Sequence, residues 1–373
     1  MLSTQKIPRF MLIGLSNPKK PKEDMFSDFE EVESLVTTYG GKVHAALVQN
    51  MTRGDVDTFI GHGKIEEALK LIADNEIDIV VINVAIKPGQ LHTLLTTFQK
   101  ANPQILVWDR VSLILEIFSK HATTSEAKLQ IKFAKLRQMG PRIYGMGMEM
   151  SQQAAGIGAK GVGETNTELM LRHWKEEKRK IQKELLTLTQ QKMSQIIHRK
   201  EKGLPTFSLV GYTNAGKTTL FNRLTGQKDL VENALFATLD STVNKFYLKK
   251  TGHEVYVSDT IGFIKDLPPD LIDAFKSTLL ETVHADVVLH IIDCSDPQML
   301  EKIRTVEGIF GELKIQRKNV MYVFNKAESI SSIDKDKLEN KHKEFTPCFI
   351  SAKTGLGIEN LLSIIAKRLP TFQ

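Results

Sequence analysis

The stretch Gly211-Tyr212-Thr213-Asn214-Ala215-Gly216-Lys217-Thr218 decides how the rest of this sequence is interpreted. It matches the phosphate-loop pattern G-x-x-x-x-G-K-[ST], with apolar residues at 207–210 before it and helical apolar spacing at 219–224 after it. Glycines in such a turn direct backbone N–H groups at phosphate oxygens, and the N-terminus of the following helix adds partial positive charge. The alternative is a chance match in a glycine-containing turn, which the strand and helix context disfavours. The stretch therefore predicts a nucleotide site.

Three later motifs predict which nucleotide binds there. Asp259-Thr260-Ile261-Gly262, Asn325-Lys326-Ala327-Glu328 and Ser351-Ala352-Lys353 each follow an apolar run typical of a strand. Ligands of open α/β sheets bind at the carboxyl ends of the strands, so these motifs are expected to meet at one edge. Asp259 is placed to hold Mg²⁺ through water, the Gly262 amide to sense the γ-phosphate, and the other two motifs to contact the base. This order of motifs predicts a guanine-nucleotide domain.

The predicted site has three sets of residues. The predicted catalytic residues are Lys217, Thr238, Gly262 and Asn214. The predicted metal ligands, for Mg²⁺, are Thr218 and Thr238. The residues predicted to contact GTP or GDP are Gly211, Tyr212, Thr213, Asn214, Ala215, Gly216, Lys217, Thr218, Phe236, Ala237, Thr238, Leu239, Asp240, Asp259, Thr260, Ile261, Gly262, Asn325, Lys326, Ala327, Glu328, Ser351, Ala352 and Lys353. The threonine in the switch segment 236–242 is expected to close onto Mg²⁺ and the γ-phosphate, with Thr238 preferred over Thr242.

Two positions depart from common GTPase patterns. Glu328 replaces the aspartate of N-K-x-D and is one methylene longer, which leaves ATP or a related nucleotide open as an alternative. Phe263 occupies the place where many GTPases carry a glutamine that orients the attacking water, which predicts slow intrinsic hydrolysis completed by a partner.

Asn214 resembles the asparagine of potassium-dependent GTPases and predicts K⁺ beside the phosphates; the alternative is a loop-stabilising side chain.

Composition narrows the class of protein. The chain has 373 residues, 41% of them hydrophobic, and a net charge of +6, a mild basic excess that suits an acidic partner such as RNA. Two cysteines, Cys294 and Cys348, are too few for a disulfide framework or a zinc site. No apolar run approaches the ~18 residues of a membrane span, and no secretory signal is apparent. We expect a monomeric cytoplasmic protein that requires no membrane.

The pattern along the chain predicts an α/β protein of three parts. Residues 1–108 alternate short strands with helices and predict a parallel α/β domain. Residues 109–203 predict a long helical hairpin with a glycine-rich loop at 156–165, in which Pro141 is expected to end the first helical run. Residues 204–373 predict a P-loop GTPase domain with a doubly wound, mostly parallel sheet. The turn Gly61-His62-Gly63-Lys64 suggests either a phosphate contact or a capped turn before a helix.

Several of these stretches together resemble the HflX family of GTPases. The resemblance rests on residues 211–217, 235–240 and 259–263 in the nucleotide domain, and on residues 61–67, 107–118 and 161–165 outside it. It implies binding to the large (50S) ribosomal subunit and its rRNA, GTP hydrolysis stimulated by ribosomes, and a role in splitting or rescuing stalled ribosomes under stress. The sequence departs from the family pattern at Met170, Leu171 and Arg172, and it ends at Gln373, without the C-terminal extension of some members.

Two other functions remain open at this stage. One is a GTPase of RNA modification or ribosome assembly, which the stretches at 61–67 and 161–165 disfavour. The other is a nucleotide-gated RNA-binding protein in which hydrolysis is incidental. A phosphate-loop kinase is disfavoured because the motifs at 325–328 and 351–353 would then have no role.

Overall fold

The computed structural model describes residues 6–19, 22–154, 166–227, 235–236, 241–248, 252–265, 267 and 269–369. The chain divides into two compact units. The first comprises Met1–His121 and Ile131–Gln182, and the second comprises Ala122–Gln130 and Lys183–Gln373. The predicted domain boundaries at residues 108 and 203 stay predictions.

The first unit contains a four-stranded sheet of order β2-β1-β3-β4, in which all neighbouring strands are parallel. Its strands are β1 (Arg9–Ser16), β2 (Lys42–Asn50), β3 (Ile79–Ile82) and β4 (Leu106–Asp109). Its first four helices are α1 (Lys22–Tyr39), α2 (His62–Asp74), α3 (Pro88–Phe98) and α4 (Arg110–His121). All four residues of β3 are buried and apolar, as expected for a central strand of a parallel sheet covered on both faces. The parallel α/β prediction for this region is confirmed.

Two long helices follow, α5 (Ser125–Ala154) and α6 (Asn166–Glu201). The prediction that Pro141 ends the first of them is wrong, because α5 continues through it. A proline inside a helix removes one backbone donor, but its further clash with the Cβ of the preceding residue does not arise here, because that residue is Gly140. Gly140 also lies against α6, since a Cβ there would be 2.5 Å from the Trp174 ring. The predicted glycine-rich loop at 156–165 lies outside the described residues.

The second unit contains a six-stranded sheet of order β10-β9-β8-β5-β7-β6. Its strands are β5 (Thr206–Gly211), β6 (Thr242–Leu248), β7 (His253–Asp259), β8 (Val287–Asp293), β9 (Val320–Asn325) and β10 (Cys348–Phe349). Its remaining helices are α7 (Lys217–Thr225), α8 (Pro269–Ala274), α9 (Lys276–Val283), α10 (Met299–Glu312), α11 (Ser332–Lys341) and α12 (Ile358–Arg368). All neighbouring strands are parallel except β6 and β7, which form an antiparallel hairpin at one edge.

Parallel pairing places the carboxyl ends of five strands at the same edge of this sheet. The strands end at Gly211, Asp259, Asp293, Asn325 and Phe349. The predicted α/β fold with a P-loop domain is therefore confirmed, and the predicted motifs share one edge. No described helix is both long enough and apolar enough to cross a membrane.

Candidate functional site

The phosphate loop connects the end of β5 to the start of α7, as the pattern predicts. Two positions of the loop require glycine because atoms of neighbouring strands occupy the space that a Cβ would need. A Cβ on Gly211 would lie 2.3 Å from the Ile291 carbonyl oxygen, and one on Gly216 would lie 2.2 Å from Asn325 Nδ2. Gly216 also has a φ of 91°, which side chains rarely adopt. The loop is therefore packed closely against β8 and β9, which lie on the same side of β5 in the sheet.

Lys217 is the first residue of α7, and its side chain is buried inside the loop. Its Nζ donates a hydrogen bond to the Tyr212 carbonyl oxygen at 2.9 Å. Burial lowers the pKa of Lys217 to about 8, and the nearby carboxylate of Asp259 opposes this shift. A lysine whose charge is so poorly solvated gains most when an anion enters the loop.

Thr218 and Asp259 meet beside Lys217. The Thr218 hydroxyl donates to Asp259 Oδ2 at 2.9 Å, and Asp259 is only 1% exposed. The described residues contain no group of three or more His, Cys, Asp or Glu side chains that could hold a metal ion by themselves. A hydroxyl and a carboxylate beside a phosphate loop are hard oxygen donors, which fit Mg²⁺ completed by phosphate and water oxygens.

The segment after Asp259 packs on the phosphate loop through its backbone. Thr213 N–H donates to the Phe263 carbonyl at 2.8 Å, and Phe263 N–H donates to the Gly211 carbonyl at 3.1 Å. A Cβ on Gly262 would lie 3.1 Å from Lys217 Nζ, so the Gly262 backbone borders the space that the lysine faces. The Phe263 side chain is fully buried and is not available to position a water molecule.

Asn325 joins the phosphate loop to the loop that follows β10. Its Nδ2 donates to the Ala215 carbonyl at 2.8 Å, and its Oδ1 accepts from Ala352 N–H at 2.8 Å. Lys326, in the left-handed conformation with a φ of 61°, places Nζ 2.5 Å from Asp293 Oδ2. These contacts bring the two predicted base-contacting motifs together.

The residues around Glu328 leave its side chain exposed. Ala327 N–H donates to the Ile350 carbonyl at 3.0 Å, which fixes the turn before Glu328 to the strand end of β10. Ser351 is buried, and its hydroxyl accepts from Thr354 N–H at 3.1 Å. An exposed carboxylate on a fixed turn is free to accept hydrogen bonds from a base.

Part of the predicted switch segment lies outside the described residues, namely Ala237, Thr238, Leu239 and Asp240. The structure therefore does not place Thr238. Phe236 is buried with a φ of 62°, and the reserve threonine, Thr242, begins β6 in register with Asp259. Asn214 is exposed with a φ of 59° at the tip of the phosphate loop.

The turn at Gly61 uses its polar groups internally. Gly61 N–H donates to Gln49 Oε1 at 2.8 Å, and Lys64 pairs with Glu67 at 2.6 Å. Gly61 is the N-cap residue of α2 and has no side-chain cap, so both interpretations of this turn stay predictions.

Sequence reasoning missed two residues that shape the site, Arg223 and Asp293, and one contact of the predicted residue Tyr212. Arg223 donates from Nε to the Ala352 carbonyl at 2.6 Å and from Nη2 to the Lys353 carbonyl. Asp293 pairs with Lys326 as described, and the Tyr212 hydroxyl accepts from Lys265 N–H at 2.7 Å. None of these contacts has a short-range signal, since Arg223 and Ala352 are 129 positions apart in the sequence.

The fold and this edge define a P-loop nucleotide-binding protein with the motif order of a GTPase. Family models match residues 27–119 ("GTP-binding GTPase N-terminal"), 121–199 ("GTP-binding GTPase Middle Region") and 206–326 ("50S ribosome-binding GTPase"). "GTPase HflX" of Alkalihalophilus pseudofirmus is 36% identical over 332 residues, covering 89% of this chain and 77% of that protein. "GTPase HflX" of Caldanaerobacter subterraneus is 35% identical over 361 residues, covering 97% and 80%.

The chain belongs to the HflX family of GTPases, as its motifs predict. Among solved structures, it is similar to a GTP-binding protein from Sulfolobus solfataricus in complex with GDP. The TM-score is 0.51 at 24% identity, covering 97% of this chain and 99% of that one. At this identity the similarity shows a shared fold.

Proposed function

We propose that this chain binds GTP with Mg²⁺ at the carboxyl edge of the second sheet and hydrolyses it on the large ribosomal subunit. The observation that carries the proposal is the buried Lys217 beside the Thr218–Asp259 hydrogen bond. A buried cation and a hard-oxygen pair at the start of one helix suit a triphosphate and its metal.

The roles on the phosphate side follow from these positions. Lys217 contacts the β- and γ-phosphates, the N–H groups of Asn214 and of residues 216–218 surround them, and the Gly262 amide faces the γ-phosphate. Thr218 and Asp259 would hold Mg²⁺, and Thr238, which lies outside the described residues, is proposed from its place in the sequence as a second ligand. When bound, the metal supplies charge stabilisation to the phosphates.

The roles on the base side rest on the loops that Asn325 joins. Lys326 and the backbone of Ser351, Ala352 and Lys353 line the base, and Glu328 accepts hydrogen bonds from its N1 and N2. An exposed, flexible glutamate can make the same bidentate contact as aspartate if the base lies slightly farther from the turn. Binding of ATP as tightly as GTP would contradict this assignment.

Intrinsic hydrolysis is proposed to be slow. The buried Phe263 offers no group that orients water, so a partner must complete the catalytic arrangement. The exposed Asn214 is proposed to hold K⁺ beside the phosphates and supply part of the missing positive charge. An equal GTPase rate in Na⁺ and K⁺ buffers would contradict the role of K⁺.

The proposed partner is the 50S subunit and its rRNA, with the protein acting as a cytoplasmic monomer that splits or rescues stalled ribosomes. The description of the matching family model and the net charge of +6 support this partner. The alternative is a nucleotide-gated RNA-binding protein, favoured only by the buried Phe263.

The test is GTP turnover by the purified protein in K⁺ buffer, with and without large ribosomal subunits. We expect at least tenfold stimulation, which corresponds to about 1.4 kcal/mol off the barrier. Small subunits serve as the control for nonspecific RNA. Tight GTP binding without stimulation would favour the nucleotide-gated alternative.

A further inference from the structure

The guanidinium of Arg223 holds two successive carbonyl groups of the loop after β10. Its Nε donates to the Ala352 oxygen at 2.6 Å, and its Nη2 donates to the Lys353 oxygen. Gly355 leaves room for the guanidinium, because a Cβ there would lie 2.9 Å from Nη1. A planar group with forked donors fixes the orientation of both acceptors, which one flexible donor would not do.

The backbone-to-backbone hydrogen bonds of this loop are made within the loop. Its orientation relative to the base side therefore depends on contacts from outside, which Arg223 helps to supply. Ser351 N–H donates to the Leu356 carbonyl at 2.9 Å, and Gly355 N–H donates to the Ser351 carbonyl at 2.8 Å. Ala352 N–H is donated to Asn325, so Lys353 N–H is the next amide along the loop. In a trans peptide unit the N–H points opposite to the C=O. Holding the Ala352 carbonyl on Arg223 therefore directs Lys353 N–H to the side away from the guanidinium.

Arg223 belongs to the same helix that starts the phosphate site. Lys217 and Arg223 are both residues of α7, whereas the loop that Arg223 contacts on the base side follows β10. One rigid helix therefore carries the phosphate-contacting lysine at its start and the support of the base loop near its end.

We propose that Arg223 is a positioning residue for base selection. By fixing the peptide unit between Ala352 and Lys353, it presents the Lys353 N–H to the base and favours bases with a carbonyl oxygen at C6 over those with an amino group. This proposal rests on the proposed binding of GTP at this edge. Arg223 acts on the base through the Lys353 N–H, which is a donor for an oxygen at C6, so its effect concerns the C6 substituent.

The experiment measures dissociation constants of GDP, IDP and ADP for the full-length protein by competition with a fluorescent GDP. GDP and IDP share the C6 oxygen, whereas IDP lacks the 2-amino group that Glu328 is proposed to bind. For Arg223→Met we expect both the GDP-over-ADP and the IDP-over-ADP preference to fall about tenfold, the equivalent of about one hydrogen bond. The GDP-over-IDP preference stays unchanged. Arg223→Lys, with a single donor group, recovers part of the loss.

The matched control is Arg368→Met. Arg368 in α12 also donates to the backbone of this region, from Nη1 to the Val320 carbonyl at 3.2 Å, but at the opposite end of β9 from Asn325. It also contacts the Thr346 hydroxyl. This variant is expected to lose stability without changing any of the three preferences.

Two results would overturn the proposal in distinguishable ways. If Arg223→Met weakens all three nucleotides equally, or leaves the preferences at the wild-type values, Arg223 has no part in base selection while the proposed function stands. If the wild-type protein itself does not prefer GDP to ADP, the base assignment fails, and the role of Arg223 fails with it.

Discussion

The phosphate side and the base side of the site are built in different ways. On the phosphate side, one continuous stretch from Gly211 to Thr218 supplies the loop, the lysine and the hydroxyl. On the base side, residues from two separate strand ends come together through Asn325, which bonds Ala215 and Ala352, through the hydrogen bond from Ala327 to Ile350, and through Arg223. A local motif can therefore predict the first side, whereas the second depends on packing between distant segments.

Removing the central cation of the phosphate side has the largest expected effect. In Lys217→Ala, the buried ammonium is lost and the phosphates have no compensating charge at the centre of the loop. We expect GDP affinity to fall at least about a hundredfold, near 3 kcal/mol. Isothermal titration calorimetry measures this, with the exposed Lys337→Ala as control. Retained affinity would mean that nucleotide binds elsewhere.

The second-largest effect is expected for Asn325→Ala, which breaks the connection between the phosphate side and the base side. Asn325→Ala leaves a buried carbonyl at Ala215 and the Ala352 amide without their partner. We expect a loss of about 2–4 kcal/mol in the free energy of unfolding, since each unsatisfied buried group costs about 1–3 kcal/mol. Urea denaturation without nucleotide measures the loss, and Asn340→Ala on the exposed face of α11 is the control. A loss below about 0.5 kcal/mol would show that the two loops hold their positions independently.

The pKa of Lys217 predicts that GDP affinity depends on pH, and that this dependence arises on the phosphate side of the site. Burial lowers this pKa to about 8 in the free protein, and bound phosphate raises it, so nucleotide binding takes up a proton above pH 8. We expect GDP affinity to fall about tenfold between pH 7 and pH 9. Nearby His290, whose pKa burial lowers to about 3, stays neutral throughout this range.

The lowered pKa of Lys217 has the opposite effect on the stability of the free protein, which increases with pH while GDP affinity decreases. Between pH 8 and the usual pKa of lysine, the unfolded chain binds more protons than the folded chain, so the free energy of unfolding rises with pH. Denaturation without nucleotide at pH 7 and pH 9.5 measures this rise. Lys217→Met is expected to lose the pH dependence of both quantities, and its persistence in that variant would assign it to another group.

The smallest expected effect concerns the contact between the phosphate loop and the segment after Gly262. Tyr212→Phe removes the hydroxyl that accepts from Lys265 N–H at 2.7 Å. We expect a loss of about 0.5–1.5 kcal/mol in stability and little change in base preference. The exposed Tyr247→Phe is the control for loss of a hydroxyl in itself. A change in base preference would show that the two sides are coupled more strongly than their contacts suggest.

Local patterns predicted most of the fold. The apolar run at residues 79–82 and the helical spacing after His62 correspond to β3 and α2 because burial on a sheet or helix imposes its own period. Pro141 shows the limit of such rules. A proline usually ends a helix, but α5 continues through Pro141, which follows a glycine that has no Cβ to clash with it.

The sequence by itself determined the family, the α/β fold and the phosphate loop, because each rests on motifs or patterns that are each formed by consecutive residues. Only the tertiary structure decided that Phe263 is buried, that Asp293 pairs with Lys326, and that Arg223 supports the base loop. These contacts join segments that are far apart in sequence, and their residue types have no fixed spacing. Their geometry arises when parallel strands bring their carboxyl ends to one edge.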